Sequence, residues 1–427
     1  MMCKPSEPCF LKAEIEIRRK AEYDVAVIGG GTAGVFAAIS AARVGAKTVL
    51  IEKNSRIGGT VTSGGVNYPG LFFAWGKQII GGPCWEAIER TARLGGARIP
   101  EISYKPEHHW EEQILLDKVV YTKVLYDMCR EAGVTVMTSA MLSAASEGEG
   151  GVSLLVTDKA GLLAIEAKAA VDASGDASLA TMLSYAVMQS EIQQPATLDN
   201  HLVGYERSAV DLRDLKEKWE ASPLSKKAPL SRVLWYLDMA KINSHVDSVA
   251  AHSPENRARL EECAIEELYQ HIALLRTVRG LEGLSVDRVA DEVGVRETLR
   301  VVGEHIVTVE EYVRGEKYED AICNAFYPVD LHVEQGIEQT FLADGVVPTI
   351  PYRALIPKGA RRLLVAGRCL SSDTYANSAL RVQAPCMAMG QAAGVSAALA
   401  AKDGKNVRDL SLEEIRGALS SLGAILP

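Results

Sequence analysis

Between Tyr23 and Gly65 the chain carries the pattern that most narrows its fold. A run of strand character, Val25 to Gly29, leads into Gly29-Gly30-Gly31-Thr32-Ala33-Gly34, then an Ala-rich helical stretch and a second apolar strand ending at Glu52. A G-x-G-x-x-G in the setting of strand, turn, helix, strand and acid predicts a βαβ unit with a dinucleotide at the helix start. Gly29 allows the tight turn, Gly31 lets the backbone approach a pyrophosphate, and Gly34 lets helix and sheet pack closely. The free N–H groups from Thr32 and Ala33 onward and the positive end of the helix dipole face the phosphates. Glu52, followed by Lys53, sits where a carboxylate accepts from ribose hydroxyls. A negative charge there disfavours a 2'-phosphate, so FAD or NAD fits better than NADP.

At 427 residues the chain is long for one core, and two or three domains are expected. The formal charge of −9 argues against a nucleic-acid or anionic-membrane surface. The first 20 residues hold no apolar core of a signal peptide, and no apolar segment reaches the ~18 residues that span a bilayer, which predicts a cytoplasmic protein. The eight cysteines, at 3, 9, 84, 129, 263, 323, 369 and 386, include no C-x-x-C. Reduced thiols packed in cores are expected, with no zinc or iron–sulfur site and no closely spaced redox pair.

The expected fold class is α/β, a Rossmann-like domain with a parallel sheet and a β-meander, carrying an inserted α+β domain. Residues 1–21 read as a polar lead-in and 22–183 as the first part of the nucleotide-binding domain. Within it a Gly- and aromatic-rich loop (64–105) is expected to fold irregularly over a ligand. Lys118 to Ala132 reads as a helix stopped by Gly133, and Val134 to Met137 as a strand. Gly151 to Thr157 and Leu162 to Ala167 form the meander, and a separate strand, Ala169 to Ala173, returns to Ser174-Gly175-Asp176. Residues 184–347 change to charged helical patterns such as Leu260, Ala264, Leu268, Ile272 and Leu275, and are assigned to the insertion. The span 348–427 reverts to small apolar residues and completes the first domain.

Several stretches together resemble the FAD-dependent oxidoreductases built on the glutathione-reductase-like flavin domain. They are Arg56-Ile57-Gly58-Gly59-Thr60 after the acidic strand, VDASGDA at 171–177, and LLVAGRCL at 363–370 before a small-residue helix. Within that superfamily the chain is similar to a family called simply FAD-dependent oxidoreductases, distantly similar to soluble fumarate reductases and L-aspartate oxidases. The supporting stretches are RETLRVVGEHIVTVEEY (296–312), YPVDLH (327–332), IPYRALIPKG (350–359) and GRCLSSDTYANSALRVQAPCMAMGQAAG (367–394). The resemblance implies noncovalent FAD. Gly58 and Gly59 would pass the pyrophosphate, Thr60 to Ser63 would offer hydroxyls, and Ser174, Gly175 and Asp176 would lie along the ribityl chain. Backbone near Leu142 would meet adenine. Gly367, Arg368, Arg381 and Val382 would lead to a helix starting near Ala384, whose dipole favours negative charge on reduced flavin.

Only one dinucleotide fingerprint is present, so electrons are expected to pass to or from oxygen, a quinone-like molecule or a partner protein, with homo-oligomerisation left open. The expected activity is hydride transfer between a small organic substrate and flavin N5. Reduction of an activated alkene and a non-catalytic electron-transfer subunit are the alternatives. His332, two residues after Asp330, is the candidate acid/base, or a structural histidine in a turn. Arg296, Arg300, Arg353 and Arg381 are candidate anchors for a carboxylate or the flavin C2 carbonyl, each equally readable as a salt bridge. Tyr352 donates a proton or caps a packed strand. His108 and His109, beside Trp110, read as solvated.

Overall fold

The computed structural model describes residues 17, 19–102, 112–191, 193–243, 246, 251–333 and 336–427. Cys3, Cys9 and the His108-His109-Trp110 stretch lie outside the described residues.

A mixed seven-stranded sheet organises the molecule, and the fold is α/β. The fingerprint strand, Arg19–Ile28, lies between Thr48–Ile51 and Gly161–Asp172 and runs parallel to both. Thr135–Met137 extends the parallel part beyond Thr48–Ile51. Val25 to Ile28 and Val49 to Ile51 are buried as continuous runs, as strands covered on both faces are.

Gly161–Asp172 is one strand of 12 residues and not the two that the sequence suggests. Its first part pairs antiparallel with Gly151–Asp158, while its last residues, Ala170 to Asp172, pair parallel with Leu363–Val365. Register with Arg19–Ile28 is kept from Leu163 to Asp172, and this continuous ladder prevents a break between meander and return strand. The expected helix appears as Lys118–Ala132, with the Asp117 side chain accepting from Val119 and Val120 N–H and Gly133 closing it in the left-handed region.

The helix Gln383–Asp403 lies against the fingerprint helix Thr32–Arg43. Their contact is made at backbone level, since a Cβ on Gly390 or Gly394 would stand 2.0 Å from the carbonyl oxygen of Ala33 or Ala37. This helix of 21 residues contains an 18-residue window of mean hydropathy 1.2, long and apolar enough to cross a bilayer, yet 94% of that window is buried inside the protein. Its Ala, Gly and Ser content serves close helix packing.

The Gly- and aromatic-rich region is more regular than expected. It contains the helix Pro83–Arg93, and Trp85 packs against Phe72 and Phe73 with ring centroids 5.4 and 5.3 Å apart. The aromatics thus fill core, while Tyr68 reaches the cleft described below.

A second hydrophobic core is built from residues between Ala196 and Val295, including Trp219, Tyr236 and the Leu260, Ala264, Leu268 stripe of the helix Pro254–Leu275. Val301, Val307, Tyr312 and Ile322 pack into the first core, although the insertion was expected to run to residue 347.

The helix contact predicts opposite signs for two glycine substitutions. Gly394→Ala should lower stability by about 1–3 kcal/mol through overpacking. Gly417→Ala, on the exposed face of Leu412–Ser421 with open space around it, should raise stability by roughly 0.5–1 kcal/mol. Urea midpoints of the two variants check this, and equal shifts would contradict the packing account.

Candidate functional site

At the ends of the parallel strands a cleft of about 460 Å³ gathers segments from the whole chain. At one end lies the fingerprint turn. Gly29 has φ +96° and its N–H donates to Ile51 O, while a Cβ would meet Ala173 O at 2.5 Å. A Cβ on Gly34 would stand 1.8 Å from Gly29 O, which is the close packing expected of the third glycine. Gly31 lies at the start of the fingerprint helix. Its φ is −77°, and an added Cβ would meet only Gly59 Cα at 3.9 Å, so space for a ligand and not backbone conformation sets the need for glycine here.

Thr32, Ala33, Thr60 and Gly59 line this end. Glu52 accepts from Gly30 N–H at 2.6 Å and Asn54 N–H at 2.7 Å. Burial pushes its carboxyl above the ordinary range, opposed by those hydrogen bonds and by Lys53. Lys53 lines the cleft while paired with Glu292 at 2.8 Å, and Arg257 reaches the same carboxylate at 2.8 Å. Arg257 and Glu292 come from the second core's segment and carried no signal in the sequence.

Three expected cofactor residues do not line the cleft. Arg56 is turned to an ion pair with Asp291, Ser63 is buried, and Gly58 donates its N–H to Gly30 O at 2.7 Å. Leu142, whose backbone was expected near adenine, does not line the cleft. It is packed inside the meander, off the cleft, and Asn54 lines that end.

Along the middle run Ser174, Gly175, Asp176, Gly367 and Arg368. The Arg368 guanidinium donates to Asp176 at 2.7 Å, to Gly175 O at 2.8 Å and to Val295 O, stitching these segments to the end of the second core's segment. The start of the Gln383–Asp403 helix enters through Val382, Gln383 and Cys386.

At the other end stand His332, Asp330, Arg296, Arg381, Tyr327 and Gln113. His332 lies on the strand Val329–Val333, with Nε2 3.2 Å from Asp330 Oδ2 and its backbone N–H directed to Gln194 Oε1 at 3.3 Å. Burial, reinforced by the charges of Arg296 and Arg381 and opposed by Asp330, pushes its imidazole down to about 4. The ring is therefore neutral at pH 7. In the tautomer with the proton on Nε2, facing Asp330, the lone pair lies on the buried Nδ1. Burial works to raise Asp330, but His332, Gln339 and Arg381 hold it below the usual carboxylate range. Arg296 donates to Pro195 O and, at 3.0 Å, to Thr197 Oγ1. Arg381 donates to Gln194 Oε1 at 3.1 Å.

Three other candidates do not reach the cleft. Tyr352 is buried and its hydroxyl donates to Val407 O at 2.7 Å, so it anchors the C-terminal segment. Arg353 is half exposed and paired with Asp320 at 2.9 Å. Arg300 is buried, holding Glu297 at 2.9 Å and Ser372 O at 3.0 Å. Tyr327 and Gln113 join the site through folding alone, although Tyr327 opens the YPVDLH stretch.

The sequence model of the FAD dependent oxidoreductases matches residues 24–419. The chain belongs to this family. Among curated proteins it is similar to the thiamine thiazole synthase of Methanococcus vannielii, 27% identical over 173 residues that cover 38% of this chain and 60% of that protein. The mitochondrial dihydrolipoyl dehydrogenase of Caenorhabditis elegans is 56% identical over 39 residues, 9% of this chain and 8% of that one. Less than two thirds of either relative is thus spanned. Among solved structures, a geranylgeranyl bacteriochlorophyll reductase-like protein from Thermoplasma acidophilum is similar at 17% identity and TM-score 0.45, over 94% of this chain and 83% of that one.

Gly31→Val tests the fingerprint end. The protein offers room for the side chain, so far-UV circular dichroism should be preserved while FAD per chain falls sharply. Normal flavin content in this variant would place the dinucleotide elsewhere.

Proposed function

We propose that this FAD-dependent oxidoreductase passes hydride between a small organic substrate and flavin N5, with His332 as the proton acceptor during substrate oxidation. The observation that carries this reading is the His332–Asp330 pair on the wall of the same cleft as the fingerprint turn. When bound, FAD supplies a ring that accepts two electrons as hydride. The glycine turn, Glu52 and the Gly59–Thr60 segment would hold its adenosine and pyrophosphate, and Ser174 to Asp176 with Gly367 and Arg368 its ribityl chain. The residues fit. The turn leaves ligand space at Gly31, and Glu52 lines the cleft. No histidine occurs between Gly59 and Gly65, which accords with noncovalent attachment.

The chain's own contribution is proton handling. A general base must be deprotonated at the working pH, and His332 meets that condition because burial and two guanidinium charges disfavour its cation. Asp330 orients the ring so that Nδ1 accepts the proton. With a single fingerprint in the chain, electrons would leave to oxygen, a quinone-like molecule or a partner protein.

The purified protein should be yellow, releasing FAD on acid precipitation. Anaerobic mixing with sugars, hydroxy acids, amines and unsaturated acids should identify a class that bleaches it. With that substrate, His332→Ala should keep the flavin spectrum and slow reduction by about 10² to 10⁴-fold, whereas Tyr352→Phe should leave the rate unchanged. In the free protein His332 keeps its proton-accepting form until pH falls through about 4, so the second-order rate of flavin reduction at low substrate should stay level through pH 6.5 and decline only near pH 4. An unaltered rate in His332→Ala would remove His332 from the mechanism.

A further inference from the structure

We infer that the His332 end of the cleft is an anion site, built by Arg296 and Arg381 to grip the carboxylate of a small carboxylic acid substrate. The inference rests on the redox reading above only for the word substrate. The anion site itself stands on the charges and hydrogen bonds of the wall.

Each neighbouring charge can be followed to its partner. Arg368 is paired with Asp176 at 2.7 Å, and Glu297 with Arg300 at 2.9 Å. Asp330 accepts from Gln339 Nε2 at 2.9 Å on one oxygen and faces His332 Nε2 with the other. The hydrogen bonds of Arg296 and Arg381 to described residues all end on uncharged acceptors: Pro195 O, Thr197 Oγ1 and Gln194 Oε1. Arg381 Nε is buried with no hydrogen-bond acceptor among the described residues. Burial works against the charge of both guanidinium groups, Arg381 disfavours that of Arg296 and Arg368 that of Arg381, with Asp330 the carboxylate acting on both.

An arginine keeps its charge, and its planar fork matches a carboxylate through two parallel hydrogen bonds. Two such forks on one wall, with one carboxylate already engaged by Gln339 and His332, leave a positive field that an incoming anion completes. Oxidised flavin is uncharged at its ring, so the ring does not supply this anion before reduction. Arg296 is carried by the segment of the second core and Arg381 by the turn before the Gln383–Asp403 helix. A carboxylate between them would fix the substrate beside His332 and link the two parts of the protein.

The test is a titration of the oxidised holoenzyme with sodium propionate, with propionamide and sodium chloride at matched concentration as comparators. The readouts are perturbation of the flavin visible spectrum and the melting temperature. Propionate should shift both saturably, and the two comparators should not. Arg296→Gln should weaken propionate binding by about 10- to 100-fold, the loss of a charged hydrogen-bonding partner. Arg296→Lys, which keeps the charge without the fork and guards against misfolding, should fall between, with both variants retaining FAD. Equal responses to propionate and propionamide, an equal response to chloride, or unchanged affinity in Arg296→Gln would each overturn the inference. Failure of the redox reading is distinguishable. Saturable propionate binding lost in Arg296→Gln, together with unaltered flavin reduction in His332→Ala, would keep the anion site and discard the base.

Discussion

Backbone-to-backbone packing of the Thr32–Arg43 and Gln383–Asp403 helices is the constraint on which the site depends. Helices usually stand 8–10 Å apart because side chains separate them. Here Gly390 and Gly394 bring one helix against the carbonyls of Ala33 and Ala37 in the other. The first of these helices begins at the fingerprint turn, and the second begins at Val382 and Gln383 on the cleft wall. Chain ends more than 300 residues apart in sequence therefore share one cleft. Leu363–Val365 adds to this by pairing with Ala170–Asp172, so that Gly367-Arg368 and Ser174-Gly175-Asp176 leave the sheet side by side.

The second core contributes a wall and not a separate site. Asp291 to Arg296 is tied to the first core by Arg56–Asp291, Lys53–Glu292 and the Arg368 bond to Val295 O. Half-exposed pairs such as Arg56–Asp291 add little stability each. Their value lies in position, because they hold Arg257, Glu292 and Arg296 against segments that carry the fingerprint and the flavin-like motifs.

What could be read from sequence was what depends on neighbours in the chain. The fingerprint turn, the capped helix Lys118–Ala132 and the meander are local patterns, and their elements appear where spacing and turn residues put them. Residues whose role depends on distant partners could not be sorted in the same way. Arg353 and Arg296 look alike in sequence, yet Asp320 takes the first to the surface and Pro195 with Thr197 hold the second in the cleft. Tyr352 is separated from the site by its bond to Val407, a contact across 55 residues. Arg257 and Glu292 have no motif at all, and only the packing of the second core brings them to Lys53.

The charges around His332 connect binding to proton transfer. Burial, reinforced by the charges of Arg296 and Arg381, holds the imidazole neutral, and the same surroundings lower its strength as a base. A base with so low a proton affinity is always available but accepts a proton weakly. On the carboxylate reading, the bound anion cancels part of that field at the moment when a proton must be taken. The proton affinity of His332 then rises toward the pH at which transfer is most efficient. Asp330 sets the direction of this change, since it remains ionised and hydrogen-bonded to Nε2 while Nδ1 takes the proton. In this arrangement the anion that fixes the substrate also strengthens the base, and an uncharged analogue of the same shape gains neither the grip nor the proton acceptor.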